Sequence, residues 1–193
     1  MTDETREPGP TPFQRILRGR RSIRRFLPTP VEPEKLRACL EAARSAPSAH
    51  NVQPCRVLVV DQPALKERLA AAAFSGLFSG SKFAAQAPVI LALLARPGRA
   101  VVRLGSLIQG VPYYLIDMGI AGEHIVLQAE ELGLATCWMG WFNYRRARKA
   151  LGIPPRLKLV ALMPLGYAAS RPKREPPRRP FEEVVGFNEA PRG

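Results

Sequence analysis

The sequence predicts an α+β domain in which helices pack a sheet of three or four strands. Three observations lead there. Short apolar runs at Arg56–Val60, Pro88–Ala95 and Leu157–Leu165 read as buried strands. The longer stretches between them repeat apolar residues at helical spacing. No G-x-G-x-x-G opens a helix after a strand and no P-loop occurs, so a nucleotide would have to be held by side chains. The 193 residues, 46% hydrophobic and 23% charged, suffice for one domain with a substantial core.

Residues 1–10 read as a flexible arm. Thr11 followed by Pro12 is an N-cap with proline at the first helical position, and it opens a short helix ending near Gly19. Pro28, Pro30 and Pro33 mark an extended approach to a second helix, which carries Leu36, Cys39, Leu40 and Ala43 at helical spacing and is stopped by Pro47. Pro63–Ala73 is an Ala-rich helix, and Phe74–Lys82 a loop of Gly, Ser and Phe. Residues 96–112 contain Pro97, Gly98, Gly105, Gly110 and Pro112 without a firm period, which makes them a candidate lid. Tyr113–Leu132 is the longest helical pattern. Its Ile116, Ile120, Ile125, Leu127, Ala129 and Leu132 are expected to be largely buried, Gly119, Ala121 and Gly122 allow close packing, and Gly133 ends it. Ala135–Met139 is short and extended, and Asn143 caps a small helix that ends at Gly152. Beyond Gly166 the chain is rich in Pro and Arg until Phe181–Val185.

The net charge of +13 admits nucleic acid, anionic lipid or an anionic substrate as partner. The arginines are spread along the chain, so a generally basic surface is favoured over a nucleic-acid role. Cys39, Cys55 and Cys137 are odd in number and widely spaced, and His50 and His124 are the only histidines. Neither a zinc site nor a disulfide framework is supported, and a reducing, cytoplasmic setting is the default. Met1–Thr11 lacks the apolar centre of a secretory signal, and Val111–Leu134 is broken by five ionisable residues, too many for a membrane span.

Two segments carry most of the chemistry. Arg20-Arg21-Ser22-Ile23-Arg24 gathers guanidiniums around a hydroxyl, a set suited to phosphate oxygens. Pro47-Ser48-Ala49-His50-Asn51-Val52-Gln53-Pro54 is a rigid turn offering a hydroxyl and two carboxamides, which suit a flat heterocycle with alternating N–H and C=O groups. Together they suggest a nucleotide-like cofactor.

With two further stretches, these segments resemble the nitroreductase family of FMN-dependent oxidoreductases. The others are Asp117–Ala121 with Leu132–Gly140, similar to the family's central helix and the turn beside the flavin, and Arg178–Val184, similar to its closing tail. Cys55 stands where the family's second motif usually has Trp. The resemblance runs from Arg20 to about Val185 and implies a nitroreductase-like mixed sheet of about four to five strands packed by helices, in a homodimer with FMN sites at the subunit interface. It implies residues 11–167 as the FMN-binding domain and 168–193 as an extension wrapping the partner subunit.

By the same resemblance, Arg20, Arg21, Ser22 and Arg24 hold the FMN phosphate, with a backbone contact as the alternative for Arg21. Pro47, Ser48 and Asn51 approach the flavin from the partner subunit. Lys82 matches a cation near flavin N1 and O2, although a plain surface lysine is an equal reading. Met139 and Gly140 match the turn whose backbone N–H faces flavin N5, and Arg178 matches a tail arginine that reaches the phosphate. The family's tail lysine is replaced by Pro176, with Lys173 or Arg174 as substitutes. His50 is read as peripheral, Gln53 as able to fix the turn, Trp138 and Cys137 as core, and His124 as a satisfied core or interface histidine. Phe74, Phe78 and Phe83 form either an aromatic wall over the flavin or part of the dimer packing. The implied activity is reduction of small electrophilic molecules such as nitroaromatics or quinones by NADH or NADPH. No metal is implied. The rivals are other flavin chemistry on the same scaffold (flavin fragmentation, dehydrogenation, reductive dehalogenation) and a basic nucleic-acid-binding protein without activity.

Overall fold

The computed structural model describes residues 9–97, 105, 107–172 and 174–191. The arm as far as residue 8, much of the candidate lid and Lys173 lie outside the described residues. The elements run α1 (Pro12–Gly19), α2 (Pro33–Arg44), β1 (Cys55–Val60), α3 (Pro63–Ala73), β2 (Val89–Ala95), α4 (Tyr113–Glu131), β3 (Ala135–Thr136), α5 (Tyr144–Ala150), β4 (Lys158–Gly166) and α6 (Phe181–Val184). Local chemistry explains several of these boundaries. Thr11 and Gln14 form a reciprocal capping box on α1, Asn143 Oδ1 accepts the Arg146 N–H at the start of α5, and proline begins α1, α2 and α3. Gly133, at φ +75°, supplies the left-handed residue that turns the chain after α4.

The strands form an antiparallel sheet in the order β1-β2-β4-β3. Beside β3, Ser22 makes a parallel bridge to Thr136, with the Ile23 N–H donating to Thr136 O at 3.0 Å. That bridge is an isolated parallel contact at the edge of an otherwise antiparallel four-stranded sheet.

β2 is buried along its whole length. Leu91, Leu93 and Ala95 enter one core with α2 and α4, while Ile90, Ala92 and Leu94 enter a second core with Leu69, Ala73 and Ala147 of α3 and α5. This two-faced burial follows from the period of two along a strand, and it explains why β2 reads as an unbroken apolar run. A register shift at Leu93/Leu94 lets Leu159 and Leu162 of β4 face the second core, while Ala161, Met163 and Leu165 face the first.

Four expectations are corrected. Arg56–Val60 is an edge strand in which only Val60 is fully buried, because β1 pairs on one side alone. Phe74–Lys82 is largely regular: a 3₁₀ run covers Gly76–Gln86. Phe74 is fully buried in the second core and forms no wall over a site. On α4 and its C-cap, Ile125 and Ala129 are buried, Ile120, Leu127 and Leu132 are half-buried, and Ile116 is 50% exposed because no element among the described residues covers that face. Among the described residues, no helix is long and apolar enough to cross a membrane, and no group of His, Cys, Asp and Glu could hold a metal.

Candidate functional site

The arginine segment is an extended strip fixed by backbone. It leaves α1 at Arg20, whose N–H still donates to Ile16 O, and joins the sheet edge at Ser22 and Ile23. Ile23 and Phe26 are buried anchors. Alternation along the strip then turns Ser22 and Arg24 outward. The Arg24 guanidinium lies 6.0 Å from the centre of the Phe83 ring. Ser22, Arg24, Arg25, Ser170 and Arg171 line a cleft of about 240 Å³ with no carboxylate among its described lining residues. Arg171 is oriented by Glu130 Oε1 at 2.6 Å and by Leu134 O at 3.3 Å. Hydroxyls and guanidiniums around a cleft free of acids fit a phosphate. Arg21 points elsewhere: its Nη1 donates to Arg18 O and Arg20 O, and its Nη2 pairs with Glu175 at 3.4 Å.

The 47–54 turn is held differently. His50, Asn51 and Gln53 all have positive φ, +50°, +52° and +47°. Ser48 Oγ accepts the Gln53 N–H at 2.9 Å, and Gln53 Nε2 donates to Asn51 Oδ1 at 3.0 Å. The Ala49 N–H donates to Asp117 Oδ1 at 3.0 Å. Asp117 sits on α4 and is 5% exposed, and its Oδ2 is buried without a donor among the described residues. Pro47 and Ser48 line a small cavity with Asp117, and Asn51 is exposed.

Met139 and Gly140 follow β3. The Met139 side chain is buried in the second core, and its N–H donates to Leu162 O at 2.9 Å, which leaves Gly140 as the next backbone donor in the turn. Trp138 lies against Gly122 so closely that a Cβ there would stand 2.3 Å from the indole, the close approach for which α4 carries glycine. Trp138 is nonetheless partly exposed. Trp141 packs against Phe78 with the ring centres 5.2 Å apart and the planes tilted by 53°, and its carbonyl accepts from Ser81 Oγ at 2.6 Å. Lys82, next to Ser81 in the 3₁₀ run, is exposed.

The structure therefore groups Ser22, Arg24, Arg171 and the Phe83 neighbourhood at one place and Pro47, Ser48 and Asp117 at another. Gly19, just before the arginine segment, approaches Glu130 of α4, whereas the turn is tied to Asp117. Thirteen residues of helix separate those two contacts, about 20 Å at 1.5 Å per residue. Arg178 is exposed in the tail and joins neither group. His124 Nδ1 lies 3.0 Å from Ala42 O, a satisfied packing histidine. Sequence reasoning left Asp117, Ser170 and Arg171 without roles. For Asp117 a signal existed, an acid set among apolar and small residues in the first half of the helical stretch. For Ser170 and Arg171 none did, since their partners lie far along the chain.

Burial pushes all three thiols up, Cys39 to about 11, while the Arg24 charge partly opposes the rise at Cys137. Glu32 is lowered to about 2, mainly because Tyr167 Oη donates to its carboxylate, with its own backbone N–H and Lys35 adding to this.

Residues 17–167 match the sequence profile of the Nitroreductase family. The chain is 35% identical to a protein from Thermus thermophilus named NADH dehydrogenase, over 86% of this chain and 91% of that one. It is 31% identical to the FMN reductase [NAD(P)H] of Bacillus subtilis, over 87% of this chain and 70% of that one. Its fold superposes on the crystal structure of a nitroreductase family protein from Clostridium novyi with a TM-score of 0.72 at 34% identity, covering 86% and 89% of the two chains.

Proposed function

This chain belongs to the nitroreductase family, and from that premise we propose that it is a cytoplasmic, homodimeric oxidoreductase that binds FMN non-covalently and uses NADH or NADPH to reduce small electrophilic organic molecules. Nitroaromatics and quinones are the substrates to test first. The observation that carries the reading is the acid-free cleft lined by Ser22, Arg24, Arg25, Ser170 and Arg171. Bound there, FMN would supply two-electron redox chemistry between the nicotinamide and the acceptor.

The protein's part is to bind and orient. Arg20, Ser22 and Arg24 hold the phosphate, with Arg171 beside them. Pro47, Ser48 and Asn51 of one subunit meet the flavin held by the other. Gly140 offers its N–H toward N5, in place of the Met139 N–H already engaged with Leu162. Lys82 places a cation where reduced flavin carries negative charge. The domain at 11–167 carries the core, and the exposed tail from 168 to 193 wraps the partner, bringing Arg178 to the site. Exposed Phe13 and Leu17 on α1 and Leu115 and Ile116 on α4 supply an apolar face for such an interface.

Purified protein is expected to be yellow and to release intact FMN on denaturation, identified by its mass. Protein that stays empty after incubation with excess FMN overturns the reading.

A further inference from the structure

The 47–54 turn adopts a conformation that its own side chains disfavour. Asparagine tolerates positive φ, but His50 and Gln53 do not favour it. Such a conformation persists only where its surroundings over-determine it. Most of the bonds found there are internal to the turn: Gln53 N–H to Ser48 Oγ, Asn51 N–H to Ser48 O, Val52 N–H to Ala49 O, and Gln53 Nε2 to Asn51 Oδ1. Arg56, exposed on β1, reaches Gln53 O. Among the described bonds of residues 48–53, the one from the Ala49 N–H to Asp117 Oδ1 alone ties the turn to a buried element distant in the chain.

Asp117 is a poor choice for stability. It sits beside Met118 and Ala121, buried residues with which α4 packs the first core, and its Oδ2 has no donor among the described residues. A buried, half-satisfied carboxylate costs stability that an apolar side chain at the same place would not. What the carboxylate does achieve is to fix Ala49, two residues before Asn51. We infer that Asp117 is a positioning residue: from α4 it holds the turn in its left-handed conformation, so that Asn51 and Ser48 are presented to the cofactor before the cofactor arrives. The inference rests on the flavin role proposed for this turn.

The test uses full-length protein, wild type and variants, titrated as apo-protein with FMN. Asp117→Ala is expected to weaken FMN binding roughly 10- to 100-fold, the range for losing a hydrogen bond to a charged group, with little change in the thermal midpoint of the apo-protein. Asp117→Asn, which keeps an oxygen for Ala49, is expected to stay close to wild type. His50→Gly removes the strain at a position outside the proposed contacts, so the effect of Asp117→Ala should shrink in that background. Should Asp117→Ala not fold, Asp117→Ser carries the same comparison. Amide exchange supplies a readout free of flavin: the Ala49 N–H should be protected in apo wild type and exchange faster in the Ala variant. Unchanged FMN affinity in Asp117→Ala, or an effect of the same size with and without His50→Gly, or an unprotected Ala49 amide in wild type, overturns the inference. Wild type that binds no FMN overturns the flavin reading instead, and the exchange measurement still reports on the anchor.

Discussion

The arginine strip and the 47–54 turn are two halves of one proposed grip, yet they are built by opposite means. The strip is held by main-chain bonds to β3 and by the buried Ile23 and Phe26, so its outward side chains carry none of its geometry. The turn has no sheet to lean on. Its shape depends on side chains, on Ser48 and Gln53 within it and on Asp117 beneath it. A phosphate accepts donors from many directions and tolerates an open cleft, whereas a flat ring system demands a fixed edge. The difference teaches where substitutions can be separated cleanly: in the strip, binding and folding should come apart.

The strongest way to break the comparison is to separate the subunits. If strip and turn meet across an interface, dissociation should abolish FMN binding, and stability should rise with protein concentration. Sedimentation from nanomolar to micromolar concentrations is expected to show a dimer carrying flavin, and deletion of residues 176–193 to weaken both assembly and FMN retention. A folded, flavin-loaded monomer would place both halves in one chain. A finer contrast lies within the strip. Arg20→Ala should cost about one to two decades in FMN affinity with little loss of stability. Arg21→Ala should do the reverse, since Arg21 is spent on the carbonyls of Arg18 and Arg20: about 1 kcal/mol of stability lost and FMN affinity nearly unchanged. Titration with FMN and denaturant unfolding on the same samples decide it.

The smallest expected effect concerns what steadies the strip's far end. The Leu27 N–H donates to Tyr167 O, and the Tyr167 hydroxyl donates to Glu32. Because Glu32 titrates near 2 when folded and near 4.5 otherwise, its contribution is present above about pH 4.5 and is lost as pH falls towards 2. Tyr167→Phe removes the main cause, so its unfolding midpoint should fall less steeply than that of wild type across that window. Parallel slopes would show that the Tyr167–Glu32 bond contributes nothing to the strip.

The features legible in the sequence are those in which neighbours decide the structure. β2 and β4 were readable because burial on both faces leaves an unbroken apolar run, and α1 and α5 because Thr11 and Asn143 cap them locally. Ile116 was misjudged because helical spacing reports an apolar face without saying whether this chain covers it. Phe74 and Phe78 lie four residues apart, yet one is core and the other packs at a tilt against Trp141, a distinction made by α5 and the β3 turn. The site was legible as motifs, through the resemblance, but not as geometry. Asp117 and Ala49 are 68 positions apart, and no local pattern links them.

The three cysteines carry a consequence of their own. A cysteine attacks electrophiles as thiolate, and with Cys39 near 11 only about one molecule in ten thousand is in that form at neutral pH. Cys137 and Cys55 are displaced in the same direction. If nitro compounds and quinones are substrates as proposed, the site meets thiol-reactive electrophiles: the quinone before it is reduced, and partly reduced nitro compounds after. Cys39 and Cys137, buried with their thiols displaced upward, are poor targets for such self-inactivation, and half-buried Cys55 is the more accessible of the three.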